Sequence, residues 1–371
     1  MNRKNAVVKS ILTPFAWLYY VIVGFRNMLF EWKILPSERY PLPVICVGNI
    51  AVGGTGKTPT TEYLVELLRK EYRVATLSRG YKRKTKGFLL VTEQHTSLEV
   101  GDEACQVKQK FPDITVAVDA SRRRGIQKLL ELPENERPDV IILDDGMQHR
   151  YVTPSLTIML TEQSRIYFED SLLPAGNLRE PAREVYRADI IVVTKCHSIL
   201  KPIELRLIEK NMRLMANQRL YFSTIEYGGM KAVFPDKALY PCTLQEISKN
   251  ENIFLIAGIA NPQPFTEKIK THSDKVTEFI FSDHHIFKEA DIQSMEHVMQ
   301  KTPANNRRII CTEKDAVRLK SLACLPESWK SCLYFLPVKA DFLYDKKKDF
   351  DERIIKHVCS TINMIQKNVK N

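Results

Sequence analysis

The sequence predicts an α/β protein with a mainly parallel sheet flanked by helices, a second smaller α/β domain, and an N-terminal helix associated with a membrane. Three observations predict it. Short apolar runs alternate with helical patterns from residue 43 onward, as strands covered on both faces by helices do. The alternation breaks around 221–240 and then resumes. A basic start leads into "FAWLYYVIVGF" (15–25), eleven residues without a charge.

That apolar run is shorter than the about 20 residues a spanning helix needs, with Pro14 at its start and Gly24 inside it. No small-residue cleavage site follows, which argues against a signal peptide. Its aromatic residues, Phe15, Trp17, Tyr19, Tyr20, Phe25, Phe30 and Trp32, suit the headgroup boundary. The segment 1–33 therefore reads as a helix lying on or dipping into the cytoplasmic leaflet, with Arg3, Lys4, Lys9 and Arg26 meeting anionic lipid. A helix packed on the protein's own core is the alternative.

"PVICVG" (43–48) reads as a buried strand and "TPTTEYLVELLRKE" (58–71) as the helix after it. "RVATLSRGY", "ITVAV" (114–118), "DVIILDD" (139–145), "SLTIML" (155–160) and "ADIIVVTK" (188–195) continue the series. "YFSTIEYGGMKAVFP" reads as a pair of extended segments, a short two-stranded linker. A second alternating set follows: "NIFLIAGIA" (252–260), "KVTEFIFSDHH" (275–285), "RRIICTEKDAVRL" (307–319) and "CLYFLPV" (332–338). The expected domains are 34–222 and 223–371, after the N-terminal helix.

The 371 residues are enough for two domains, and 44% hydrophobic with 27% charged residues is ordinary globular composition. Net charge is +11, which calls for an anionic partner such as nucleic acid, a phosphorylated ligand or an acidic membrane surface. No zinc-finger spacing or aromatic-interleaved RNA-binding signature accompanies the basic runs, so nucleic acid is not expected as a partner. The eight cysteines are scattered with no C-x-x-C pair, which reads as reduced thiols rather than disulfides or a zinc site.

"AVGGTGKT" (51–58) carries the chemistry. A strand, a Gly-rich turn and a helix opening on Gly56-Lys57-Thr58 is the context of a phosphate-binding P-loop. Gly53, Gly54, Thr55 and Gly56 let backbone N–H groups curl around phosphate oxygens, Lys57 reaches the β/γ-phosphates and Thr58 ligates Mg²⁺. The usual first glycine is replaced by Ala51, which is acceptable if its φ stays negative. The partner motif "PDVIILDDGMQHR" (138–150) ends a strand in Asp144-Asp145, placing carboxylates for Mg²⁺ at the edge where ligands of such sheets gather. A guanine-specific [NT]-K-x-D is missing from "VVTKCH" (192–197), so the expected nucleotide is ATP.

Phosphoryl transfer also needs a group to orient or deprotonate the acceptor. The candidates are Asp102 and Glu103 in "VGDEA", Asp283, His284 and His285 in "FSDHHIF", and Arg179 and Glu180, with Asn177, in "LLPAGNLREP". Each has a plainer reading as a helix cap, a surface turn or an exposed pair.

Together the motifs resemble the tetraacyldisaccharide 4'-kinases (lipid A 4'-kinases) of Gram-negative bacteria. The matching residues are "VGNIAVGGTGKTP" (47–59), "LSRGY" (77–81), "GDE" (101–103), "LDDGMQHR" (143–150), "PAGNLREP" (174–181), "DHH" (283–285) and "TEKDAVRL" (312–319). They run in family order over nearly the whole chain. The resemblance implies ATP- and Mg²⁺-dependent phosphorylation of the 4'-hydroxyl of a lipid A disaccharide 1-phosphate, at the cytoplasmic face of the inner membrane, with the site in a cleft between two domains and no obligate protein partner. It implies Asp102 as general base paired with His284, Lys57 and Thr58 on phosphate and metal, and Asp144, Asp145 and Glu180 around Mg²⁺. Glu103, Gln148, His149 and Arg179 are further active-site groups, and Asn177 stays outside the catalytic set. A peripheral membrane P-loop switch ATPase, and a soluble kinase of another hydroxylated metabolite, are the competing readings.

Overall fold

The structure, a computed structural model, describes residues 3–197, 200–239, 243–302 and 307–370, without the side chains of 3–8 and 368–370. Arg3 and Lys4, expected on lipid, thus fall outside the described side chains.

The apolar runs at 44–48, 140–144 and 190–194 form strands that are buried throughout, on both faces. After helix α1 (Arg3–Glu31) come β1 (Val44–Gly48), α2 (Lys57–Leu68), β2 (Val74–Ser78), β3 (Leu89–Leu90), α3 (Ser97–Val100), α4 (Asp102–Lys110), β4 (Thr115–Val118) and α5 (Arg122–Leu130). Then follow β5 (Val140–Asp144), β6 (Leu156–Glu162), β7 (Ile190–Thr194), α6 (Pro202–Met212) and β8 (Arg219–Tyr227). The second set is β9 (Lys231–Ala232), β10 (Asn252–Ala257), α7 (Gln263–Lys270), β11 (Lys275–Ile280), α8 (Glu289–Met299), β12 (Arg307–Thr312), α9 (Glu313–Lys320), α10 (Glu327–Lys330) and β13 (Leu333–Leu336). The chain closes with β14 (Val338–Phe342) and α11 (Lys347–Lys370).

Nine strands form one sheet in the order β14-β8-β7-β6-β1-β5-β2-β4-β3. Its neighbours pair in parallel except at the two edges, where β3 and β14 run antiparallel. A second sheet, β11-β10-β12-β13-β9, is parallel but for β9. Alternate residues of β1 feed opposite faces. Ile45 and Val47 meet Leu64, Val65 and Leu68 of α2, while Cys46 joins Met159 and Ile191 on the other side. The second sheet has cores of its own, one around Trp329 and Met295 and one around Phe265 and Ile269.

The expected break at residue 222 needs correction. Phe222 lies inside β8, bonded to β7 in the large sheet. The chain leaves for the second sheet after Tyr227 and returns as β14, whose Val338 pairs with Tyr227. Helix α11 then buries Phe350, Ile354 and Val358 against Ile45 and Leu64. Residues 338–370 therefore pack with the first sheet, and the second is an insertion between β8 and β14. The physical reason is the i, i+4, i+8 apolar stripe of α11, which needs a face to cover.

Helix α1 packs on the protein along part of its length and leaves one apolar face exposed. Its far end packs on the protein: Asn27 and Phe30 are buried, Tyr19 donates its hydroxyl to Arg179 O at 2.8 Å, and Arg26 donates to Gln148 O at 3.2 Å. On another face Ile11, Phe15, Leu18, Ile22 and Phe25, spaced four and three apart, stand 54–63% exposed. Among the described residues no helix is long and apolar enough to cross a membrane.

Candidate active site

The large sheet assembles the site by register. Val47 of β1 lies beside Asp144 of β5 in the ladder, so the loop after one strand opens next to the carboxylates ending the other. Gly53 and Gly56 have φ of 102° and 84°, left-handed values that L side chains rarely adopt, and Gly56 is the N-cap of α2. Ala51 is not among the residues with positive φ, so its methyl group fits without strain. It bridges to Leu178, and Val52 N donates to Asn177 O at 2.8 Å, so the "PAGN" turn buttresses the loop from outside. Asn177 is fixed by Asp170 through its N and Nδ2 at 3.1 and 3.0 Å, a supporting position.

Lys57 points back over the loop, its Nζ 3.5 Å from Gly53 O and 3.8 Å from Asp145. Asp145, at φ 51°, is also paired with Arg179 at 3.1 Å. Burial would raise its pKa, but the charges of Lys57 and Arg179 outweigh that and lower it. Asp144 goes the other way. Burial, Glu103 and Asp145 together push its carboxyl up to about 6.

A carboxylate crowded by two others, with the Thr61 hydroxyl donating to its Oδ1 at 3.4 Å and Thr58 in the first turn of α2, is a hard-oxygen donor set. Among the described residues no group of three or more His, Cys, Asp or Glu closes into a cage. Mg²⁺ does not require one, since it keeps waters and borrows phosphate oxygens. The residues fit that ion.

Glu180, expected beside Mg²⁺, lies behind Asp145. It is buried, paired with Arg187, and receives Gln148 Nε2 at 3.4 Å, while its Oε1 has no hydrogen-bond partner. It connects to Asp145 through Gln148 and Arg179, whose Nη1 donates to Gln148 Oε1 at 3.4 Å. Glu180 thus orients that pair behind the metal position. His149 is held near 4 by burial and by Arg122 and Arg79, so it is neutral at pH 7.

The second half of the site forms where α4 of the first unit meets the inserted sheet's loops and helices. Asp102 is the first residue of α4, and His284, at φ 55° after β11, places Nδ1 3.0 Å from Asp102 Oδ2. Tyr81 meets the His284 ring edge-on at 4.9 Å, and Lys82 donates to His284 O at 3.3 Å. Glu103 pairs with Lys314 at 2.8 Å. Burial would raise the Asp102 pKa, but hydrogen bonds from His284 and Arg318 bring it down to about 2. The neighbouring residues part company here. His285 stacks on Phe281 and bonds Asp291 at 2.9 Å, a packing role, and Asp283 lies 3.9 Å from His284 Nε2.

Lys314 and Arg318 carried no role in the sequence reading. Both lie in "TEKDAVRL", four residues apart on one face of α9, which could have been found by asking what two cations at i, i+4 face. Arg165 was missed too. Its Nη2 donates to Val52 O at 2.7 Å, over the phosphate loop, and no local pattern marks it.

The crowding at Asp144 yields a prediction. Ionising a carboxyl whose folded pKa is about 6 costs stability as pH rises from about 4 through 6. Asp144→Asn should therefore stabilise the ligand-free protein at pH 7–8 by at most about 3 kcal/mol, seen as a raised melting temperature. The gain should shrink below pH 6 and vanish near pH 4, while phosphoryl transfer is lost. Thermal melts across that pH range check it; a destabilised variant at pH 8 would contradict the crowding.

Comparison with known proteins agrees with the geometry. The family model for tetraacyldisaccharide-1-P 4'-kinase matches residues 8–359. A tetraacyldisaccharide 4'-kinase of Parabacteroides distasonis is 53% identical over 353 residues, covering 95% of each chain. One of Bacteroides fragilis is 44% identical over 359 residues, covering 96% of this chain and 95% of its own. A crystal structure of LpxK from Aquifex aeolicus in complex with ATP is similar at a TM-score of 0.71 and 30% identity, over 95% of this chain and 99% of that one.

Proposed function

This chain belongs to the tetraacyldisaccharide-1-P 4'-kinase family, and from that premise we propose that it passes the γ-phosphoryl group of ATP to the 4'-hydroxyl of a tetraacyl-disaccharide 1-phosphate in lipid A biosynthesis. One observation carries the assignment of roles. Glu103, next to Asp102 at the start of α4, raises the pKa of Asp144 at the end of β5, and Asp144 Oδ1 accepts from Thr61 of α2 at 3.4 Å, which supports setting the carboxylate–imidazole pair beside the phosphate loop.

In this reading the loop amides of Gly53–Gly56 and Lys57 bind the β- and γ-phosphates, with the start of α2 adding its positive end. Thr58, Asp144 and Asp145 hold Mg²⁺, which supplies charge neutralisation and in-line orientation of the phosphates. Arg179 and Gln148, held by Glu180, keep Asp145 in place. The 4'-oxygen forms its bond to Pγ as the bond to the ADP oxygen breaks, and the hydroxyl proton passes to Asp102. His284 orients Asp102 and accommodates the charge change. Asp102, on α4 beside the large sheet, and His284, in the loop after β11 of the inserted sheet, already pair at 3.0 Å, so keeping the two sheets together holds the pair and keeps water from competing.

ATP consumption tests this. A kinase of this kind consumes ATP in proportion to added disaccharide 1-phosphate. A nucleotide switch hydrolyses it at one rate with or without the lipid, and that result would displace the proposal.

We further place α1 on the cytoplasmic leaflet of the inner membrane, its exposed stripe in the acyl boundary and Lys9 toward anionic headgroups. Removing residues 1–30 is a poor test, because Asn27 and Phe30 are buried against the protein. Replacing Ile11, Phe15, Leu18 and Ile22 by Ser leaves that contact alone. At about 1.5–3 kcal/mol per large side chain, the variant should lose essentially all sedimentation with anionic vesicles. Unchanged sedimentation with an unchanged melting temperature would contradict the placement.

A further inference from the structure

Three donors converge on one oxygen. Arg318 Nε and Nη2 donate to Asp102 Oδ2 at 3.0 and 2.5 Å, and His284 Nδ1 lies 3.0 Å from the same atom. Among the described residues no hydrogen bond reaches Asp102 Oδ1. The two oxygens of one carboxylate are therefore inequivalent, one gripped by the protein and one with no hydrogen bond among the described residues.

Arg318 is itself fixed. Its Nη1 donates to Asp315 Oδ1 at 2.7 Å and to Gly258 O at 3.1 Å, and its side chain is 6% exposed. Asp315 is fully buried, and its Oδ2 accepts from Gly258 N at 2.8 Å and the Thr312 hydroxyl at 2.6 Å. A Cβ at residue 258 would stand 2.9 Å from Asp315 Oδ1 and 3.3 Å from Arg318 Nη1, so the guanidinium reaches its place only past a glycine. Asp315, three residues away on α9, already neutralises Arg318. The second edge of the guanidinium is thus free to cross to the other sheet, a planar two-edged use that lysine cannot reproduce.

We propose that Arg318 is a positioning residue for phosphoryl transfer, pinning Asp102 Oδ2 so that Oδ1 is presented to the acceptor hydroxyl. The inference rests on Asp102 being the group that takes the acceptor proton. The charged and titratable groups facing Asp102 are His284 from the loop after β11, Lys314 and Arg318 from α9, and Glu103 beside it on α4. Held this way, Asp102 is a weak base and a well-aimed acceptor, suited to a transition state in which the proton leaves late.

The test compares the full-length wild type, Arg318→Met, Asp102→Asn and the double variant, with kcat and KM for ATP and for tetraacyl-disaccharide 1-phosphate. Arg318→Met should lose about 10–100-fold in kcat with the KM for ATP unchanged. The double variant should match Asp102→Asn within about threefold, because groups acting as one unit are not additive. Melting temperatures are recorded alongside. If Arg318→Met fails to fold with Asp315 stranded, Asp315→Asn/Arg318→Met replaces it and leaves no unpaired carboxylate at 315. A folded variant with wild-type kcat, or a double variant losing the product of the two single losses, overturns the inference alone. Wild-type transfer by Asp102→Asn would overturn the base assignment, and this inference with it.

Discussion

Asp102→Asn is expected to lower phosphoryl transfer by about 10²–10⁴-fold while ATP binds as before. The side chain makes its hydrogen bonds to His284 and Arg318 and none to the phosphate loop, so nucleotide affinity has no reason to change. What is lost is the acceptor for the hydroxyl proton. The substitution also removes an ion whose pKa is held near 2, worth about 2 kcal/mol at neutral pH. A depressed carboxylate contributes above its ordinary range and loses that contribution as pH falls from about 4 toward 2. The melting temperature of Asp102→Asn should therefore lie a few degrees below wild type at pH 7, with the gap closing in acid. Calorimetric titration with ATP, transfer rates and thermal melts separate the three effects.

Lys57→Ala should fail in the opposite pattern. Its ammonium stands 3.5 Å from Gly53 O and 3.8 Å from Asp145, over the loop itself. It would meet phosphate charge both in the bound nucleotide and in the transition state. Losing it should cost about 10²–10³-fold in transfer and weaken ATP binding as well. Asp145 loses one of the three cations that lower its pKa, leaving Arg179 and Arg122 to hold it. Weakened ATP binding in Lys57→Ala beside intact binding in Asp102→Asn is the signature of two separate halves of one site. Equal ATP affinities in the two variants would argue that the loop does not grip nucleotide.

Much of that division was legible in the sequence because it is local. Gly53, Gly56, Lys57 and Thr58 sit in one strand–turn–helix unit, and Asp144-Asp145 end a strand whose period is plain. The resemblance supplied the long-range pairing of Asp102 with His284, which no local pattern encodes. The return of β14 and α11 to the first sheet was not legible, since strand order depends on which edge is open after β8 is in place. Nor was the role of Arg318. A cation three residues from Asp315 reads as an ordinary helical pair until the fold brings Asp102 to its other edge. Nor was the pairing of Glu180 with Arg187, because the half-buried Arg187 lies in a six-residue 3₁₀ stretch with no periodic signal.

The most direct measurement follows a labelled γ-phosphoryl group from ATP onto purified tetraacyl-disaccharide 1-phosphate, with the position of the label read by mass spectrometry. The wild-type chain should place it on the 4'-oxygen in the presence of Mg²⁺, and Asp102→Asn should leave the lipid essentially unlabelled while still binding ATP. Folded, ATP-binding wild-type protein that releases the label only as inorganic phosphate would contradict the account.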